Sequence, residues 1–219
     1  MQYQPRHHPA FPTLISSFDL SGHPTEKTVM EMIDTWERTG DHALVHEGQS
    51  SYITGDEMFL NDIRLIDLWK TIQECCDIYC QECGIDYTLL STSWFNTLYK
   101  GGSVNAHRHE RSVISGAYYP KCDDASSPLI FESPLQPYQM NMNNINQTQY
   151  NQYFVDFNPA PGLLVLFPSW LRHSVPPNGA DKRYTISFNT IRRADRDHFQ
   201  TIRDYRTDPH ESKSDCRTF

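Results

Sequence analysis

Two histidines stand one residue apart in "AHRHERSVISGAYY", His107 and His109, at the opening of a β-branched and aromatic run. Along an extended strand, positions i and i+2 point to the same face, so the two imidazoles can close on one metal ion. A third candidate, His173, follows after an intervening stretch of 63 residues, in "FPSWLRHSVPPNG". Ten positions beyond it comes Arg183, opening "RYTISFN", with Thr185 on the same strand face. Any one of these residues alone reads as ordinary polar surface or a strand-end side chain. The ordered set reads as a metal centre with a carboxylate clamp beside it. Three protein ligands leave open positions on a metal, the arrangement that non-haem iron(II) oxygenases require. An arginine fork binds a carboxylate through two charge-assisted hydrogen bonds.

These residues need strands to position them, and the chain supplies strands. After Gly84 the stretches "DYTLLSTSWFNTLY", "SVNAHRH", "SVISGAYY", "PLIFE", "YFVDFN", "GLLVLFP" and "RYTISFNTI" are short, β-branched and aromatic, with Gly, Pro and Asn between them. Many short antiparallel strands point to a sandwich, barrel or jelly roll. Ahead of them, "FPTLISSF" reads as a first strand. Thr25 to Arg38 reads as a helix ended by Gly40. Leu60 to Cys83 reads as a second helix, burying Ile63, Ile66, Trp69, Ile72, Cys76 and Tyr79 and stopping at Gly84. The expected order is therefore a helical first third and an all-β remainder, with "KGG" as a turn. The Asn/Gln-rich run Pro134–Tyr153 reads as a long loop bordering the substrate entrance. Residues 1–10 read as a polar leader, and the chain as one domain over 1–219, with a core at about 10–192 and a polar C-terminal appendage at 193–219.

The chain of 219 residues carries a formal charge of −8, which argues against duplex DNA as a partner. No apolar run approaches the ~20 residues that span a bilayer, and the first residues do not have the pattern of a signal peptide. Six cysteines are present, four of them crowded into "ECCDIYCQEC". Cys76, Cys80 and Cys83 share helical spacing and are expected as reduced thiols, which points to a cytoplasmic protein. The Cys80-x-x-Cys83 pair lies at a helix end rather than a start, where a reactive thiol would sit. Oligomeric state is open, a homodimer included.

On His-x-His, the distant His173, Arg183 at +10, and the stretches "SWFN", "KGG", "SGAYY", "PGLLVLFPSWLRHSV" and "RYTISFN", the chain resembles the 2-oxoglutarate/iron(II)-dependent oxygenase superfamily, and within it a bacterial and phage group. The resemblance covers roughly residues 10–192. It implies a double-stranded β-helix, or jelly roll, with helices packed on one side. It also implies iron(II), 2-oxoglutarate and dioxygen as cofactor and co-substrates, with His107, His109 and His173 as metal ligands. Arg183 and Thr185 would hold the distal carboxylate of 2-oxoglutarate. Tyr99, eight residues before His107, matches a tyrosine that binds the co-substrate in prolyl-hydroxylase-like members, and Asn96 would bind either end of it. The implied reaction is hydroxylation of a small molecule or side chain, with succinate and carbon dioxide as co-products. The superfamily usually has a carboxylate where this chain has His109. Glu110 is adjacent but is expected to face the other way. Three neutral imidazoles leave iron(II) with a net +2, which 2-oxoglutarate balances, so metal retention without it is expected to be weaker. Two other readings fit the same residues: a three-histidine cupin-like dioxygenase that does not use 2-oxoglutarate, and a jelly-roll binding protein without activity.

Overall fold

Leu68, Trp69, Ile72, Cys76, Tyr79 and Cys80 recur at helical spacing, and all are buried on one face of an 18-residue helix, Ile66–Cys83. The helix stops where Gly84 takes a left-handed φ of +65°. Its N–H and that of Ile85 bond back to the carbonyls of Gln81 and Cys80, closing the last turn. In the computed structural model, residues 4, 6–8, 10–37, 39–52, 58–135, 143 and 145–195 are described. The order of elements is β1 (Ser16–Asp19), α1 (Glu26–Asp34), β2 (Val45–Ser50), two 3₁₀ turns, α2 (Ile66–Cys83), β3 (Thr88–His107), β4 (Ile114–Lys121), β5 (Leu129–Glu132), β6 (Phe154–Phe157), β7 (Leu163–Pro168), β8 (His173–Val175) and β9 (Lys182–Arg192).

The strands form one curled antiparallel sheet in the order β1-β7-β4-β9-β3-β8-β5-β6, with β2 pairing onto β3. This is the expected jelly-roll architecture. β3 is the strand that organises it. Its first half pairs with β9 from Thr88↔Arg192 to Tyr99↔Lys182. Its last residues pair with β8, at Val104↔Val175 and His107↔His173. The change of partner falls at Gly101 and Gly102. Gly101 has φ +83°, and a Cβ on Gly102 would lie 2.4 Å from the Glu47 carbonyl oxygen of β2. "KGG" is therefore a bend inside one 20-residue strand, not the turn between two strands that its composition suggests.

One face of the sheet packs on the helices. Phe188, Ile186 and Tyr184 of β9 meet Tyr118, Phe95, Ile72 and Leu68 there. The inner face carries a second cluster, in which Leu98, Tyr119, Phe131, Val165 and Phe167 fill the space between the two halves of the curl.

Several boundaries differ from the sequence reading. β2 was not anticipated: "VHEGQS" has no apolar alternation, Glu47 has φ +44°, and the strand is bulged between His46 and Gly48. The first helix ends at Asp34 rather than Arg38. The second begins at Ile66 rather than Leu60, and Ile63 is 72% exposed on the preceding 3₁₀ turn. Cys75, Cys76 and Cys80 are buried and free, whereas Cys83 is exposed, so the buried cysteine face gains Cys75 and loses Cys83. Burial raises the thiol pKa of Cys75 to about 11, as expected for an inert reduced thiol. No helix among the described residues is long and apolar enough to cross a membrane. Residues 136–142 and 144 of the Asn/Gln-rich run, and 196–219 of the expected appendage, lie outside the described residues.

Candidate metal centre and co-substrate cavity

Residues directly opposite in an antiparallel ladder share a face. Two such pairs build the site. His107 of β3 faces His173 of β8, and Asn96 of β3 faces Thr185 of β9. His109 lies two residues past the end of β3, where its N–H donates to the Ser169 carbonyl at 2.9 Å. The three imidazoles then converge. Their nearest ligand atoms lie within 4.8 Å of one another, and His109 Nε2 and His173 Nε2 are 3.3 Å apart. A metal bonded to two adjacent imidazole nitrogens at about 2.1 Å each holds them roughly 3 Å apart.

The ring orientations are set by backbone carbonyls. His107 Nδ1 donates to Asn105 O at 2.8 Å, and His173 Nδ1 donates to Leu171 O at 2.9 Å. Each bond places the ring proton on Nδ1 and leaves the Nε2 lone pair for a metal. Burial pushes the pKa of His109 and of His173 down to about 3, and burial also lowers that of His107. At neutral pH the cluster is three neutral imidazoles, a donor set that fits a divalent transition metal. Glu110 is exposed and is not part of the cluster.

The same cavity, about 270 Å³, extends inward to Arg183. This side chain is 2% exposed. It donates through Nη1 to Thr185 Oγ1 at 3.0 Å, while Nε and Nη2 have no partner. Its guanidinium lies 5.0 Å from the centre of the Tyr119 ring. The Tyr119 hydroxyl and Asn96 Oδ1 are likewise buried without a partner. A buried cation with idle donors is strongly unfavourable unless an anion completes it. The arrangement can receive a carboxylate at the inner end of a molecule whose other end reaches the histidines.

Tyr99 is not brought to this place. It lies opposite Lys182, one residue out of step with Arg183, so it points to the other sheet face. It is 37% exposed, and its hydroxyl donates to Gln49 Oε1 at 3.4 Å. Tyr119 of β4 stands beside Arg183 instead. Spacing from His107 could not reveal this, because the exchange depends on β4–β9 register. His42 also lines the cavity, as do Tyr52 and Trp94. Among its described residues, the Asn/Gln-rich run contributes nothing to the lining.

Residues 92–189, which hold both histidine stretches and Arg183, match a family model described as "Putative 2OG-Fe(II) oxygenase". The stretch that carries the site, from β3 to β9, is similar to the 2-oxoglutarate/iron(II) oxygenases. Solved structures of the same fold include a prolyl-4-hydroxylase of Pseudomonas putida, 15% identical with a TM-score of 0.58, over 83% of this chain and 94% of that one. A prolyl hydroxylase of Trichoplax adhaerens, in complex with a hypoxia-inducible-factor peptide fragment, is 16% identical with a TM-score of 0.54, covering 84% and 86%. HygX of Streptomyces hygroscopicus, with nickel and 2-oxoglutarate bound, is 8% identical with a TM-score of 0.57, covering 83% and 84%. No curated protein matches the sequence. This oxygenase is thus an enzyme that uses iron(II), 2-oxoglutarate and dioxygen, on a cavity whose donor set suits that metal and whose buried cation suits that diacid.

Proposed function

We propose that this oxygenase is a hydroxylase of a small molecule or a side chain, with succinate and carbon dioxide as co-products. The observation that carries the reading is Arg183: a buried guanidinium with two idle donor nitrogens, lining the same cavity as three inward-facing imidazoles. Bound iron(II), 2-oxoglutarate and dioxygen supply the oxidising chemistry. His107, His109 and His173 hold the metal. The carbonyls of Asn105 and Leu171 keep two of those rings in the ligating tautomer. Arg183 binds the distal carboxylate of 2-oxoglutarate, Thr185 fixes the guanidinium through its hydroxyl, and Tyr119 takes the co-substrate role that spacing alone gives to Tyr99. Asn96, facing Thr185, offers an unpartnered amide oxygen to a protonated or N–H-bearing group. Phe131 and Phe167 pack against the His173 ring and keep water from that side of the site.

The test is oxygen uptake by the iron-loaded protein with and without 2-oxoglutarate, together with succinate release. Uptake that requires 2-oxoglutarate and yields one succinate per oxygen supports the reading. Uptake that is indifferent to 2-oxoglutarate identifies a three-histidine dioxygenase whose Arg183 binds the substrate itself.

A further inference from the structure

The cavity is longer than its diacid. From Arg183 to Asn189 the inner face of β9 presents Arg183, Thr185, Ser187 and Asn189 in turn, and all four line the cavity. Six residue-to-residue steps of extended strand span roughly 20 Å at about 3.3 Å each. Arg183 closes one end. The other end has a different character. Trp94 lies opposite Ser187 and stacks on His109, ring centres 5.6 Å apart at 28°. Tyr52 meets Trp94 edge to face at 5.1 Å, and His42 meets Tyr52 edge to face at 5.0 Å. The three rings form a continuous wall that begins in contact with a metal ligand and runs to the surface, where Tyr52 is 38% exposed.

The buried and half-buried polar groups of this arm are few and neutral. Asn189 is spent inside the protein: Oδ1 accepts from Ser115 and Nδ2 donates to Thr92. Ser187 is half-buried, and among the described residues its hydroxyl makes no hydrogen bond. The charged lining residues here, Arg108 and Glu110, are exposed and opposite in sign. Such an arm offers no buried charge to neutralise a phosphate or an ammonium. Aromatic faces and edges favour a ring, which packs at low entropic cost and gains from stacked or edge-to-face contact.

We propose that the wall His42–Tyr52–Trp94 is the substrate subsite, and that it receives an uncharged ring carrying one hydrogen-bonding group, which Ser187 binds. Tyr52, Trp94 and Ser187 are then specificity-determining residues. This rests on the hydroxylase reading for the position of the reacting centre, next to His109.

The experiment uses the full chain loaded with zinc and 2-oxoglutarate, which cannot turn over, and saturation-transfer NMR. The probes are phenol, indole and cyclohexanol as uncharged rings, hexan-1-ol as the acyclic counterpart, and adenosine monophosphate as an anionic ring. The expected result is that the three uncharged rings bind at least tenfold more tightly than hexan-1-ol and are not displaced by adenosine monophosphate. Tyr52→Ala and Trp94→Phe should each weaken phenol at least fivefold, and Ser187→Ala should weaken phenol but not benzene. In Tyr52→Ala, 2-oxoglutarate affinity, read by calorimetry, should stay within twofold of wild type. Equal binding of ring and chain, preference for adenosine monophosphate, or unchanged phenol affinity in both aromatic variants would overturn the proposal. Failure of 2-oxoglutarate to bind the wild-type protein would instead strike the hydroxylase reading, and the probe titrations would still report on the wall.

Discussion

At the scale of single residues, the second ligand is the point at which this chain departs from the commoner His-x-Asp/Glu pattern. His109 joins the cluster through its ring, 3.3 Å from His173, whereas Glu110 lies outside it. His107→Ala, His109→Ala and His173→Ala should each abolish stoichiometric iron binding in an anaerobic titration, because a facial site does not tolerate loss of one of three ligands. Glu110→Ala should bind iron as wild type does. His109→Asp should retain partial binding, with less dependence on 2-oxoglutarate, since a carboxylate lowers the charge of the centre by one. Normal iron binding by His109→Ala with loss in Glu110→Ala would reverse the ligand assignment. The paired tyrosines give a second residue-level prediction. Arg183→Ala should raise the 2-oxoglutarate KM by tenfold or more, as hydrogen bonds to a charged group contribute about 1.5–3 kcal/mol each. Tyr119→Phe should raise it more modestly, and Tyr99→Phe should leave it unchanged because that hydroxyl faces Gln49. A KM that responds to Tyr99 but not to Tyr119 would contradict the register argument.

At the scale of elements, the bend in β3 joins the two halves of the site. Residues before Gly101 carry Trp94 and Asn96 against β9; residues after Gly102 carry His107 against β8. Asn178 clamps the bend: its N–H donates to Gly102 O and its carbonyl accepts from Gly101 N, both at 2.7 Å. Gly102→Ala would drive a methyl to 2.4 Å from the Glu47 carbonyl, and backbone cannot swing aside as a side chain can. We expect a loss of about 1–3 kcal/mol in denaturant unfolding, accompanied by weaker metal binding because His107 shifts relative to His173. Unfolding and metal affinity both equal to wild type would show that β2 can yield. This junction also shows what the sequence could convey. Thr185 was legible beside Arg183 because alternation along one strand is local, whereas joining His107 and His109 to His173 and Arg183 rested on the ordered motif and the family resemblance. Tyr119 and the aromatic wall were not legible, because they depend on which strands are neighbours and in what register. β2 was hidden for a related reason: its polar, glycine-bearing sequence is held by the partner strand rather than by any apolar alternation of its own. α2, with its buried stripe and Gly84 stop, needed no partner to be recognised.

At the scale of the whole molecule, holding one buried and two half-buried histidines neutral ties stability to pH. In the unfolded chain a histidine titrates near 6.5. In the folded protein His109 and His173 titrate at about 3 because burial disfavours the cation, and His107 is lowered for the same reason. Between those values the unfolded state binds more protons than the folded one, so the stability of the metal-free protein must fall as the pH is lowered. The contribution is complete above about pH 6.5 and is lost progressively towards pH 3. Each site that is neutral when folded and charged when unfolded adds about 1.4 kcal/mol per pH unit to the slope. The depressed carboxylates of Asp34 and Asp62 act in the same direction only at more acid pH, below the usual carboxylate range. Urea unfolding of the metal-free protein at pH 7.5, 6.5, 5.5 and 5.0 should therefore show a flat stability above neutrality and a steep decline below 6. A His109→Asn/His173→Asn double variant should decline less steeply by roughly two protons' worth, about 2.7 kcal/mol per pH unit. Zinc added to the wild type binds only the folded state and should raise stability by about 2.7 kcal/mol at a hundredfold excess over its Kd. Because burial keeps His109 and His173 unprotonated down to mildly acid pH, zinc affinity should fall less between pH 7.5 and 5.5 than it would for solvent-exposed imidazoles. An equal decline in wild type and double variant, or a zinc affinity that collapses near pH 6.5 as it would for solvent-exposed imidazoles, would show that the histidines are not held neutral by burial.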